Sequence, residues 1–183
     1  MKKKSLALVL ALAMIVVCVV GGTLAWLIAT TPEVKNTFTA GDINITLAES
    51  EDLDLKMIPG YTIDKDPKVT VKAGSEKCYL FVKVDKSTNF DSFMACTIAD
   101  GWTALTGVNG VYYRVVDTAD MGTAYSVLAN DKVTVRGDVT KAMLNGLTEA
   151  TQPTLTFTAY ACQYNSSNNT PFTAEAAWAK VGA

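Results

Sequence analysis

The sequence predicts a mainly β fold, an antiparallel β-sandwich closed by a C-terminal helix. Three observations carry the prediction. Apolar and polar residues alternate in one segment after another, the period-two pattern of strands with one buried face. Asp100-Gly101, Gly107-Val-Asn-Gly110 and Asn130-Asp131 punctuate the chain at short intervals, as hairpin turns do. About eight to ten short strands follow from this spacing, the number expected of a sandwich. With 183 residues, 9% aromatic and 19% charged, the chain can bury one proper core.

The amino terminus reads as an export leader. Met1-Lys-Lys-Lys is a basic start, and Leu6 to Val20 is an apolar run of signal-peptide length. Gly21-Gly22 then breaks the helix, and Thr23-Leu24-Ala25 is a small-x-small cleavage site. Residues 1–25 are therefore assigned as signal peptide, with Trp26 as the new terminus after a cut behind Ala25. A cut after Ala29 is the second choice, because Leu27 fits the −3 position poorly. The rival reading keeps Leu6–Ala29 as an uncleaved membrane anchor, since that run is long enough to span a bilayer. Residues 26–37 form an arm, apolar at Trp26, Leu27 and Ile28 and polar afterwards, and residues 38–183 form the sandwich domain.

The strands follow in order. From Thr37 to Leu47, Ile43, Ile45 and Leu47 face one way and Asp42, Asn44 and Thr46 the other. Glu49 to Asp54 is an acidic loop, and Met57-Ile-Pro-Gly-Tyr61 a turn into another extended segment. Lys68–Lys72 alternates again. Lys77–Asp85 is the strongest strand, with large side chains on both faces, and is expected at the centre of a sheet. Asn89–Ala95 reads as a connector carrying Phe90 and Phe93. Short strands are expected at Cys96–Ala99, Trp102–Leu105, Val111–Asp117, Tyr125–Leu128 and Lys132–Val135. Asp138–Leu147 holds a helical turn stopped by Asn145-Gly146, and Pro153–Tyr164 is a long strand. Thr173 caps the one clear helix, whose stripe of Ala174, Ala177, Trp178 and Val181 should cover the sheet.

A family resemblance rests on the order of several motifs. They are the basic leader, Gly21-Gly-Thr-Leu-Ala25, Asn36-Thr-Phe-Thr-Ala-Gly-Asp-Ile-Asn-Ile-Thr-Leu47 and Met57–Tyr61, then Lys68–Gly74 and Cys78–Val84. Gly101-Trp102 and Ala174-Glu-Ala-Ala-Trp178 continue it. In this order the chain resembles the TasA/camelysin family of Gram-positive surface proteins. The resemblance implies a jelly-roll-like antiparallel β-sandwich with minor helical decoration and a C-terminal helix. It also implies processing by a signal peptidase of the SipW type, secretion to the cell surface or biofilm matrix, and fibre formation.

The residue inventory points away from catalysis. The chain has no histidine, so it offers no Ser-His-Asp triad, Cys-His pair or His-Glu-x-x-His motif. A catalytic zinc nearly always takes an imidazole, which leaves the camelysin-like metallopeptidase reading a minor alternative. Ser75 with Lys77, and Asp85-Lys86-Ser87, sit at strand ends and read as turn chemistry. The acidic loop lacks the ligand spacing and glycine of a dedicated calcium loop, although a calcium site there stays open. Cys18 leaves with the leader, and the remaining Cys78, Cys96 and Cys162 allow one disulfide at most and otherwise read as small buried residues.

Removing Lys2, Lys3 and Lys4 with the leader leaves 13 basic against 18 acidic side chains, a net of −5, so nucleic acid is not an expected partner. No enzyme activity and no cofactor or metal is expected. The expected function is structural: fibres built by donor-strand exchange, the arm of Trp26, Leu27 and Ile28 entering a neighbouring copy or a related matrix subunit. The membrane is a partner only through an uncleaved leader, the case of a membrane-anchored surface binding module.

Overall fold

The computed structural model describes residues 42–50 and 56–182. Ten strands fall in three antiparallel sheets. In chain order the strands are β1 (Ile45–Ala48), β2 (Thr62–Asp64), β3 (Lys68–Val71), β4 (Cys78–Lys86) and β5 (Met94–Ala95). They continue with β6 (Thr103–Ala104), β7 (Val111–Val116), β8 (Ala124–Ser126), β9 (Lys132–Val135) and β10 (Leu155–Gln163). Helices are α1 (Phe90–Phe93), α2 (Lys141–Asn145) and α3 (Ala174–Val181). The fold is mainly β with a C-terminal helix, as the sequence predicts.

The centre is β4. It pairs with β10 on one side and β7 on the other, in a four-stranded sheet of order β10-β4-β7-β6. Its alternation gives it two apolar faces. Cys78, Leu80, Val82 and Val84 pack against Val69 and Val71 of β3, so this sheet lies over the β1-β3-β8 sheet. Tyr79 and Phe81 face the other way, onto Ala174 and Ala177 of α3. Leu80, Phe81 and Val82 are fully buried, each burial contributing about 2 kcal/mol. The third sheet, β2-β9-β5, makes its own core with α1 from Ile63, Phe90, Phe93, Met94, Val133 and Val135.

α3 follows its sequence logic. The Thr173 hydroxyl accepts from the Ala176 amide at 3.2 Å, satisfying a free donor of the first turn. Ala174 and Ala177 are small enough to bring the helix close, and Trp178 then reaches Phe81 (5.3 Å between ring centroids) and Tyr160 (5.1 Å, edge to face). Gly182 ends the helix under that indole, where a Cβ would collide with the ring.

Several expectations change. The two-sheet sandwich has a third small sheet. The Asn89–Ala95 connector contains α1 and β5, because Phe90 and Phe93 are three residues apart and one helical turn buries both. Cys96–Ala99 is not a strand; only Ile98 bridges, to Leu128. Trp102–Leu105 shortens to the two residues of β6 because Trp102 turns its indole to the Ser126 carbonyl at 2.9 Å. Strand β1 begins at Ile45, and residues 37–41 lie outside those described. Leu47 does not share the cover of Ile43 and Ile45 and is 38% exposed.

Replacing Trp178 with Ala removes the contacts that hold α3 on the sheet. An equilibrium denaturant titration should show a loss of about 2–3 kcal/mol, the lower end for a large aromatic because the indole is only half-buried.

Candidate functional site

Every open sheet has edges, and short edges are one way of protecting them. Here β5 and β6 have two residues each, β2 and β8 three, and β1 four. Strand β10 has nine and is the outermost strand of its sheet.

The register fixes which backbone groups of β10 face outward. The Ser87 amide donates to the Thr154 carbonyl at 3.0 Å, and the Tyr164 amide to the Lys77 carbonyl at 3.0 Å. Pairing is unbroken between these points, so Thr154, Thr156, Thr158, Tyr160, Cys162 and Tyr164 turn their backbone groups to β4. Leu155, Phe157, Ala159, Ala161 and Gln163 turn theirs away. Among the described residues no strand pairs with that outer side.

The same residues carry the exposed apolar row. Leu155, Phe157, Ala159 and Ala161 pack on the cluster between the sheets, yet each stays only half-buried. No charged residue occurs from Pro153 to Thr173, and no bulge interrupts the register. The usual edge protections of Lys, bulge or inner Pro are missing from a long strand.

A groove accompanies the first half of this edge. A cavity of about 440 Å³ is lined by Met57, Ile63, Phe90, Met94, Val133 and Pro153, with Lys65, Gln152 and Leu155 to Thr156 beside it. A slot of about 260 Å³ continues from it between Leu47–Glu49 of the β1 side and Leu155–Phe157. The two share Lys65, Leu155 and Thr156.

Ion pairs hold the rim of the slot. Lys65 Nζ lies 2.6 Å from Glu49 Oε2 and 5.9 Å from the centre of the Phe157 ring. The Asp66 carboxylate accepts from the Ser50 amide (3.0 Å) and the Ser50 hydroxyl (2.8 Å), with Lys68 at 3.2 Å. Those Ser50 hydrogen bonds, backbone first, lower the Asp66 pKa from 3.8 to about 2, and Lys68 adds to the effect. The end of β1 is thereby tied to the Lys65–Lys68 segment.

The opposite side of the sandwich is closed. Arg114 on β7 stacks its guanidinium 3.7 Å from the centre of Tyr125 on β8 and 5.3 Å from that of Trp102. The Trp102 indole also occupies the Ser126 carbonyl, a free edge group of β8. One side is riveted by a cation between aromatic rings, and on the other, among the described residues, the β1 end flanks the start of β10 but no strand pairs with it.

The sequence-predicted residues distribute as follows. Ala25, Trp26, Leu27 and Ile28 lie outside the described residues, as do Glu51 to Leu55 of the acidic loop. Glu49 is engaged by Lys65, and among the described residues no group of three or more acidic or cysteine side chains is placed to hold a metal ion. Ser75 accepts from the Asn44 amide, Lys77 pairs with Asp117 at 2.7 Å and Lys86 with Asp91 at 2.8 Å. These groups support turns and strand ends.

Cys78, Cys96 and Cys162 are free thiols. Cys78 stands opposite Gln163 and points to the inter-sheet core, whereas Cys162 stands opposite Tyr79 and points under α3. Thiols on opposite faces of a sheet cannot join. Burial pushes the Cys78 thiol up to about 11 and raises the other two.

Sequence reasoning located β10 but missed that it is an edge. The signal was present: a strand pattern with no charge over twenty residues is unguarded wherever it lies. No protein-family model, curated protein or solved structure matches the chain.

Two outcomes are expected. Because the Asp66 pKa is lower in the folded chain, its contribution to stability is whole above pH 3.8 and is lost as pH falls through about 2. Thermal melts of Asp66→Asn should therefore show a shallower loss of stability between pH 4 and pH 2 than the parent chain. Thiol labelling of the folded protein should modify Cys96, the least buried thiol, first, and unfolding should release all three without reductant.

Proposed function

We propose that this chain is an exported structural subunit of the cell surface or extracellular matrix whose copies join by strand addition at β10. The supporting observation is that edge: nine residues, uncharged, unbulged, with a half-exposed apolar row and outward backbone groups. An added strand would satisfy the amides and carbonyls of Leu155, Phe157, Ala159, Ala161 and Gln163 and cover their side chains.

The donor is the N-terminal arm, residues 26–37, of another copy or of a related matrix subunit. It begins with Trp26-Leu27-Ile28, and each apolar side chain of it that is buried contributes about 2 kcal/mol before ordering costs. A signal peptidase of the SipW type frees the arm by cutting after Ala25. While the leader is attached, the arm stays at the membrane and cannot insert. Donor and acceptor are different surfaces, so the contact is heterologous and its repetition gives an open fibre rather than a closed pair. The resemblance to fibre-forming matrix proteins supports the same reading, in which the subunit is not an enzyme and the sandwich is of jelly-roll type.

The test is electron microscopy and light scattering of the chain beginning at Trp26. Fibres should form from it and be lost on deletion of residues 26–32. Ala159→Lys, which places an inward charge on the acceptor edge, should lower fibre yield at least tenfold while leaving the far-ultraviolet circular dichroism unchanged. Normal fibre yield from the deletion would sink the proposal.

A further inference from the structure

The groove and the arm differ in one respect that edge pairing alone does not explain. The cavity of about 440 Å³ lies at the head of β10, where Pro153 to Thr156 line it beside the first outward backbone group of the edge, that of Leu155. Its floor is formed by Ile63, Phe90, Met94 and Val133, which belong to the core of the third sheet rather than to the sandwich. A strand laid on β10 leaves it empty unless the strand ends in a large apolar side chain at that point. Lys65 and Thr154 supply polar groups at its mouth. Apolar walls with a few polar rim groups suit an aromatic ring.

We infer that this cavity is the anchor pocket for the Trp26 indole of a second copy, and that the anchor sets the register of assembly. The inference rests on the strand-addition reading above and deepens it. The arm of residues 26–37 has twelve residues, enough to reach about 40 Å when extended. Strand β10 is nine residues, about 30 Å, so the arm can leave its own domain and still traverse a neighbour's edge.

Direction and phase follow. Trp26 is the first residue after the cut, so all later residues must lead away from the cavity, from Leu155 toward Gln163. The added strand therefore runs parallel to β10. Period two then turns Ile28 inward with Trp26, over the row of Phe157, Ala159 and Ala161, and turns Leu27 outward. The three apolar residues are thus unequal: Trp26 and Ile28 bind, and Leu27 does not.

The experiment uses the chain beginning at Trp26 and its point variants, with sedimentation velocity as the readout. Trp26→Ala removes the donor anchor, and Thr154→Trp fills the mouth of the acceptor cavity from an exposed position. Each variant alone should stay monomeric at concentrations tenfold above those at which the parent forms fibres. An equimolar mixture should give heterodimers and no fibres, because each variant keeps one working surface. Leu27→Asp should assemble like the parent, and Ile28→Asp should not.

Unchanged melting temperatures separate lost assembly from lost folding. Should Thr154→Trp melt early, Thr156→Trp on the same rim serves in its place. If Trp26→Ala forms fibres like the parent while deletion of residues 26–32 abolishes them, the anchor is wrong and strand addition stands. If the mixture stays monomeric, or Leu27→Asp fails where Ile28→Asp assembles, the anchor and its phase are wrong. If the deletion also assembles normally, both the anchor and strand addition fail.

Discussion

The structure depends on β4 being paired on both sides, with β10 along its whole length and with β7 from Cys78 to Lys83. A strand with large apolar side chains on both faces is stable only when each face is covered and each backbone edge is bonded. Strand β7 supplies one edge, β10 the other, the β1-β3-β8 sheet one face and α3 the second. Meeting these four demands places β10 at the boundary with its full length committed inward. No strand of the described residues is left to cover it from outside. The open edge is thus a consequence of how the centre is satisfied.

The two flanks of the sandwich show what closure requires. On the β8 side three short-range devices cooperate: the Arg114 guanidinium between Tyr125 and Trp102, the indole hydrogen bond to the Ser126 carbonyl, and the short length of β8 itself. Gly101 is part of this, since a Cβ there would stand 2.8 Å from the Arg114 guanidinium. On the β10 side the corresponding devices act only at one end, where Glu49 and Ser50 are tied to Lys65 and Asp66. These contacts fix the slot's rim but leave the outward amides of β10 without a strand. Among the described residues the sandwich is closed on one flank and unpaired on the other, a polarity that the proposed one-way assembly would need.

Much of the architecture was legible in the sequence. Lys132–Val135 and the helix with its Thr173 cap were found in full, because each is specified by a local pattern that tertiary contacts reinforce. The central place of Lys77–Asp85 was legible because two apolar faces on one strand have only one solution. The third sheet was not. Only β9 showed a pattern of its own; β2 and β5 have three and two residues, too short for periodicity to register, and they exist because Ile63 and Met94 are brought to Val133 from distant parts of the chain. Cys96–Ala99 failed for the converse reason: its alternation is real, yet only Ile98 finds a partner, at Leu128. Trp26, Leu27 and Ile28 were legible only as apolar residues past an expected cleavage site, and the surface proposed to receive them depends on strand order, which no local pattern encodes.

An unguarded edge also invites the wrong partner, and the geometry of β10 shows why self-pairing is the poorer choice. Two β10 edges meeting antiparallel about Ala159 would oppose Phe157 to Ala161 and Leu155 to Gln163. Such a pair satisfies the backbone, but it sets one apolar residue against a polar one and brings no large side chain to the cavity at the head of the strand. It is also isologous, so it stops at two copies. An arm that carries its own indole can fill both the edge and the cavity, and the subunit that supplies it still presents an open β10. In the proposed assembly, the preference for open growth over closed pairing would come from one cavity walled by residues of the small third sheet, the part of the fold that the central strand does not require.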